Sequence, residues 1–443
     1  MLEINEKNFP DEEFRRYIEE HFDQEKKGYL TNQEIEMIDI IDADYRGIYD
    51  LTGIQYFPNL KKLSINYTKM TKLDLSKNMK LEELWCHDTK ITELDIRNNM
   101  ELKKLDCNNT WITSLDVSNN TALILLACWE TGITSLDVSN NTELKELCCS
   151  ELDITELDIS KNLQLERLWC GETRLTSLDV SSNSELKGLW CNNTQITSLD
   201  VSNNSALQVL NCDSTGITSL DVSKNLALER LYCVDTSLTE LDVRRNKNLE
   251  WLDCSRTKIK ELDVSNNLEL EELYCAGTRL TELDISKNIA LISLHCGYTG
   301  ITELDLSNNF ALEKLRCDSI GITTLDLSNN PMLKYLSVCR TGITSLDISE
   351  NVALKELHCS ETDLTSLDIS KNLALEELYC GGTGIIELDA RNNPNLRFFE
   401  NGNKRFFLAN TKGDIQDKIS QAKQTFVNIQ KDKRKIKAKQ QER

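Results

Sequence analysis

Proline is nearly missing from this chain of 443 residues: it has four, beside seventeen glycines and four histidines. So little proline and glycine leaves small room for linkers between domains. Four histidines supply most metal and acid–base sites poorly. There is no Walker loop, no His-Glu helix motif and no G-x-S-x-G elbow. No apolar run reaches the ~18–20 residues of a membrane span. The start, MLEINEKNFPDEEF, has neither the basic nor the apolar segment of a secretory leader. Localisation stays open between a cell surface, if a leader has been removed, and the cytoplasm. An apolar content of 40% excludes a disordered chain.

The formal charge of −21 is uneven. Residues 411–443 hold ten Lys or Arg and four Asp or Glu, a net of +6, which leaves −27 on residues 1–410. An acidic body repels nucleic acid and anionic membrane. Only the tail attracts a polyanion.

The dipeptide Leu-Asp recurs in sixteen copies from Leu73-Asp74 to Leu388-Asp389, without insertion or deletion. A typical 21-residue unit reads LxxLxCxxTxITxLDVSxNxx. It has two similar halves, Leu81-x-x-Leu84-x-Cys86-x-x-Thr89 and Ile91-x-x-Leu94-x-Ile96-x-x-Asn99. Leu84-x-Cys86 and Leu94-x-Ile96 alternate with strand period, those side chains inward. One unit is too short for two strands, their turns and a full helix. The pattern predicts a flattened parallel β-solenoid with a short strand on each side, cored only by stacking. Asn78 and its equivalents to Asn393 occur in every copy, as a ladder that satisfies turn backbone groups.

These halves have the L-x-x-L-x-L-x-x-N shape of the leucine-rich repeat family. The chain resembles its nested, cysteine-containing bacterial class, IRREKO, over roughly residues 41–401. The resemblance implies a mainly β fold of about sixteen coils. A small α-helical N-terminal cap and a C-terminal helix flank it. The expected domains are 1–50 (cap), 51–410 (solenoid) and 411–443 (basic amphipathic helix). One departure is Thr where many repeats carry Asn, as at Thr89, Thr110, Thr131 and Thr173.

Fourteen of sixteen cysteines share one register, from Cys86 to Cys380, and Val338 fills the gap in it. A slot that accepts Val wants a small apolar side chain. Zinc needs four convergent ligands, whereas this column is straight. Many free thiols favour a reducing setting. Cys148 and Cys339 fall off register and are expected to be exposed and reactive.

Outward positions of the second half barely vary: Asp95, Asp116, Asp137 and onward, usually followed by Ser at the second residue. Carboxylates ~4.8 Å apart repel by about 0.9 kcal/mol per neighbouring pair even in water. Serine hydrogen bonds, counter-ions or raised pKa values must offset this. The expectation is that divalent cations or mild acid raise thermal stability.

Outward positions of the first half vary widely between copies. They supply Trp85, Trp129, Arg167, Trp169, Trp190, Arg230, Tyr232, Trp251, Tyr274, His295, Tyr335, His358 and Tyr379. Exposed aromatics beside arginine are the material of binding hot spots. Aromatics lying flat for cross-strand stability are the competing reading.

Residues 9–22 read as an amphipathic helix carrying Phe14, Tyr17, Ile18 and Phe22. The next residues resemble an EF-hand loop, with Asp23, Gly28 and Glu34 at positions 1, 6 and 12 and Glu25 between. Lys27 stands where a ligand oxygen belongs. These residues are the weak metal candidates, calcium the only cofactor considered, and Thr31-x-x-Glu34 doubles as a capping box. Gly53-Ile54-Gln55-Tyr56-Phe57-Pro58-Asn59-Leu60 looks like the start of an internalin-like array. Internalin-like surface proteins similarly place such a cap before their repeats, which implies adhesion or partner binding. Phe398, Phe399, Phe406 and Phe407 suggest a closing hairpin. Ile415, Ile419, Ala422, Phe426, Ile429 and Ile436 form a heptad stripe. That stripe suits packing on the last coil, a dimer or an anionic surface.

The leading function is a non-catalytic scaffold for a protein partner. A glycan-binding adhesin and a structural spacer remain beside it. No nucleophile–base pair is evident, so an enzyme is not expected.

Overall fold

The structure is a computed structural model and describes residues 1–400 and 405–407. Each 21-residue period forms one coil. Leu81, Leu84, Cys86, Ile91, Leu94 and Ile96 of one such coil are all buried. Each aliphatic among them gains roughly 1.5–3 kcal/mol once covered, and neighbouring coils do the covering.

The first half of each coil makes a three-residue strand, such as Glu83–Trp85. Its central Leu faces in and its flanking residues face out. The chain packs as two compact units, residues 1–238 and 239 onward. In the first, ten parallel strands run from Ile40–Asp42 to Arg230–Tyr232. In the second, parallel strands run from Trp251–Asp253 to Phe398–Glu400. Arg405–Phe407 then pairs antiparallel with Phe398–Glu400, as the expected closing hairpin requires. Its turn, and the expected helix within residues 411–443, lie outside the described residues.

The second halves differ from expectation. They form no strand among the described residues; a single isolated bridge joins Asp74 to Asp95. The cause is local. In all sixteen copies the Asp carboxylate accepts the backbone N–H two residues on, as Asp116 does from Ser118 at 3.0 Å. A side chain that closes its own turn competes with a sheet ladder for the same donor.

The asparagine column holds the coils together. All sixteen asparagines are fully buried. Asn183 is representative: its Nδ2 donates to Ile159 O at 3.1 Å and Asn162 O at 2.9 Å, both in the preceding coil. The threonine departure also has a reason. Thr89, Thr110 and Thr173 each donate Oγ1 to the carbonyl of the cysteine three residues before, at 2.8 Å.

At the N-terminus, helix α1 spans Glu12–Phe22 and buries Phe14, Tyr17 and Ile18. It starts three residues later than expected because Asp11 caps it, accepting from Phe14 N at 2.9 Å. Helix α2 spans Asn32–Met37 and carries the full Thr31/Glu34 capping box. Phe9 meets Phe14 edge-on and stacks on Phe57, which seals the start of the array. Gly53 has φ +113°, and a Cβ there would lie 2.3 Å from the Phe9 ring.

Asn183→Ala removes two buried hydrogen bonds between coils, to carbonyls that each keep one backbone N–H donor. It is expected to cost about 1–3 kcal/mol, read as a lower midpoint in chemical unfolding. An unchanged midpoint would show the ladder to be idle.

Candidate binding face

The strands carry the variable outward residues on one face. In the first unit these are Trp85, Arg167, Trp169, Trp190, Arg230 and Tyr232, with Trp129 two residues past its strand. In the second they are Trp251, Tyr274, His295, Tyr335, His358 and Tyr379. The arginines are exposed as expected. The aromatic rings are not: every one of them is half-buried. Each strand is only three residues long, so a ring at its end folds back over its own strand. The residue two before often pins the polar tip. Trp85 Nε1 donates to Glu83 at 3.2 Å. Tyr274 OH donates to Glu272 and Tyr379 OH to Glu377, both at 2.7 Å. His358 Nε2 pairs with Glu356.

The rings then stack on rings of the next coil. Trp169 and Trp190 lie 4.8 Å apart and within 9° of parallel. Gly188 permits this, since a Cβ there would sit 2.5 Å from the Trp190 indole. Arg167 stands exposed at the rim, tied to Glu146 at 2.8 Å. In the second unit Trp251 stacks on Tyr274 at 5.2 Å, and Tyr274 meets His295 edge-on at 6.3 Å. Tyr335, His358 and Tyr379 form another run, with centroids 5.3 and 4.2 Å apart. The Arg316 guanidinium lies 4.8 Å over the Tyr335 ring.

Burial governs the titrating groups here. It pushes the Tyr274 hydroxyl up to about 12, with the Glu272 bond adding to the rise. Burial, then the Arg316 charge, lowers His295 and keeps it neutral. Neutral rings on a half-dry face suit recognition.

Reading only the strand columns misses the most exposed rings. Tyr45, Tyr67 and Tyr298 adopt left-handed φ of 56–59° in the turn after the strand and are exposed, as is Trp111. Tyr45 stacks on Tyr67 at 4.6 Å, and Tyr67 meets His87 edge-on at 4.9 Å. The signal was present: Tyr45, Tyr67 and Tyr298 share one turn register.

The EF-hand-like loop is closed without a metal ion. Asp23 accepts from Lys27 N at 2.9 Å and Gly28 N at 2.7 Å. The Lys27 ammonium lies 2.6 Å from Glu34 and 3.6 Å from Glu25. It holds the Glu34 carboxyl near 2, helped by the Thr31 bonds. A resident ammonium does here what a bound cation would do. No cluster of three metal-ligating side chains occurs among the described residues.

The sixteen cysteines are free. The register column is buried, and burial raises its thiols well above their usual range, as at Cys107 and Cys275. The expectation for Cys148 and Cys339 needs correction. Both are half-buried, and burial pushes Cys148 up to about 11 and raises Cys339. Neither is a ready thiolate at neutral pH.

Of the three offsets expected on the aspartate face, hydrogen bonds are the one found: its carboxyls are lowered, not raised. The Ser118 and Ser139 bonds lower Asp116 and Asp137. Arg97, Arg244 and Arg391 hold Asp95, Asp242 and Asp389 near 2. Neighbouring aspartates raise Asp116 and Asp137, but by less than the hydrogen bonds lower them.

A solenoid of 21-residue coils with a buried cysteine file and a helical cap has a counterpart. The functional domain of InlJ from Listeria monocytogenes, which includes a cysteine ladder, is 35% identical, with a TM-score of 0.77 over 80% of this chain and 80% of that one. The chain belongs to the internalin family of leucine-rich repeat proteins. A second internalin from Listeria monocytogenes, inlF, is 20% identical, with a TM-score of 0.65 over 76% of this chain and 97% of that one. The plant peptide hormone receptor RGFR1, in complex with RGF2, is 14% identical and shares the fold, with a TM-score of 0.66 over 79% of this chain and 67% of that one. No family model and no curated protein matches the sequence. The internalin-like repeat is a non-catalytic family, and the cap of this chain is internalin-like. No helix among the described residues is long and apolar enough to cross a membrane.

Gly188→Ala forces the Trp190 indole off its strand. The paired-indole signal in circular dichroism is expected to vanish while the unfolding midpoint moves by less than about 1.5 kcal/mol. Persistence of the signal would show that the stack does not need Gly188. The lowered aspartates contribute stability in full above about pH 4, lost as pH falls towards 2. The Tm is therefore expected to fall between about pH 4 and pH 2, the reverse of stabilisation by mild acid. The slope should be shallower in an Asp116→Asn, Asp137→Asn, Asp200→Asn variant.

Proposed function

We propose that the strand face binds a protein partner in adhesion or host interaction. The observation that carries this reading is the Trp169–Trp190 stack. Two coplanar indoles lie half-exposed on a rigid sheet, with Gly188 cleared beneath them and Arg167 at the rim. Their conformational entropy is already spent, so a partner gains their burial without ordering them. The outward columns differ from coil to coil, which gives each stretch its own chemistry, while the constant aspartate face offers none. Support from relatives is coarser. InlJ and this chain share a repeat scaffold, and RGFR1 holds the peptide RGF2 on the same fold.

Flat, parallel indoles also fit the apolar face of a sugar ring, so a glycan ligand is the second reading. Affinity capture from a candidate host extract, run beside a glycan panel, separates the two. The intact chain is compared with Trp169→Ser, Trp190→Ser. Loss of two hot-spot rings is expected to weaken partner binding at least about thirtyfold, with no competition by free saccharide. Equal capture by both proteins moves the site off this face. Competition by saccharide selects the glycan reading. No capture by either leaves a structural spacer.

A further inference from the structure

One stretch of the strand face in the second unit lacks carboxylates. The strands Ser293–His295, Lys314–Arg316 and Tyr335–Ser337 lie side by side in parallel register. None carries Asp or Glu at an outward position. The two strands before them carry Asp253 and Glu272, and the two after carry Glu356 and Glu377. Lys314 and Arg316 hold both outward positions of the central strand and are exposed. Burial and the Arg316 charge keep His295 neutral beside them. Equivalent cations of the first unit are paired: Lys104 and Arg167 each hold the glutamate 21 residues before, Glu83 at 2.9 Å and Glu146 at 2.8 Å. Ser293 stands in that place before Lys314. The bordering carboxylates have other partners. Glu313 takes the Lys334 ammonium at 2.6 Å. Asp318 accepts from the Ser337 hydroxyl and from Cys339 N, and Glu356 pairs with His358. Among the described residues neither Lys314 nor Arg316 forms an ion pair.

We infer that Lys314 and Arg316 receive the carboxylates of a short acidic segment of the partner protein. This rests on the reading of the strand face as a protein-binding surface and names the chemistry of one part of it. The Arg316 guanidinium lies 4.8 Å from the centre of the Tyr335 ring. Stacking on a ring engages the face of a guanidinium and leaves its N–H edge for a carboxylate. Lys314 adds a second charge two residues away, on the same side of the strand. Ser293, His295 and Ser337 surround the pair with neutral polar groups, so an arriving carboxylate meets no anion at those positions. The width of the patch selects a short segment. Three strands span about 10 Å, and Glu272 and Glu356 bound them. A longer polyanion such as nucleic acid would run onto those glutamates on both sides. The acidic body does not forbid the contact, because at physiological salt charges beyond about 8 Å are largely screened.

Selection of displayed random peptides on the full chain tests this. Binders are rescreened on Lys314→Ser, Arg316→Ser and on Trp169→Ser, Trp190→Ser, with melting curves to show that both variants stay folded. A class of binders rich in Asp or Glu is expected. The Lys314→Ser, Arg316→Ser protein should hold that class at least about tenfold more weakly, and the tryptophan variant should hold it as the intact chain does. Free sialyllactose should not compete. A selection without acidic binders overturns the inference, as do acidic binders that the Lys314→Ser, Arg316→Ser protein holds equally well. Competition by sialyllactose assigns the pair to an anionic glycan and overturns it. Self-association in sedimentation that is lost in the same variant assigns the pair to a second copy and overturns it as well. Binders lost only with the tryptophan variant overturn this inference and leave the protein-binding reading standing. Binders that neither variant weakens count against both.

Discussion

Parallel stacking of near-identical coils needs a polar bond that only the correct register can make, and the asparagine column supplies it. Asn183 Nδ2 donates to Ile159 O and Asn162 O of the coil before, carbonyls that already accept a backbone N–H within their own coil. Each such added hydrogen bond contributes about 0.5–1.5 kcal/mol and ties one coil to the next. The buried Leu, Ile and Cys columns supply the gain from stacking. The asparagines fix its register. At the other turn threonines close their own coil, on the carbonyls of buried cysteines such as Cys86, Cys107 and Cys170. Every other property of the molecule is arranged around these fixed columns.

Fixed columns free the two outward surfaces to diverge. On the second half, aspartate closes its own turn through the N–H two residues on, which removes that donor from any ladder. That side therefore stays extended without pairing, and its carboxylates are stabilised as anions by the turns they close. On the first half, the short strands pair in parallel register within each unit. Rings placed there fold over their own strands and stack between coils, held by glutamates such as Glu83, Glu272 and Glu377. The same geometry makes these rings both stabilising and presentable. Flat packing and recognition are therefore two consequences of one arrangement.

Much of the fold was legible because repetition multiplies weak signals. Sixteen in-register copies state the coil length, the inward columns and the ladder without ambiguity. The cap was legible through local chemistry, Asp11 and the Thr31/Glu34 box, although α1 starts later than residue 9. The second strand was misread because Leu94-x-Ile96 has the same alternation as Leu84-x-Cys86. Alternation reports which side chains face inward, not which backbone groups find partners. Cys148 was misread for a related reason. Its register places it outward, yet the strand sets it beside Trp169 of the next coil, and it is half-buried.

The coil, its buried columns and the family follow from spacing along the chain and could be read there. The sequence also singled out the face whose residues vary between coils. Only the tertiary structure decided how that face presents itself. Ring orientation depends on neighbours 21 residues away and on gaps such as Gly188, which no local pattern encodes. The cation pair at Lys314 and Arg316 belongs to the same class. Each residue looks like an ordinary strand position until stacking brings it beside its equivalents.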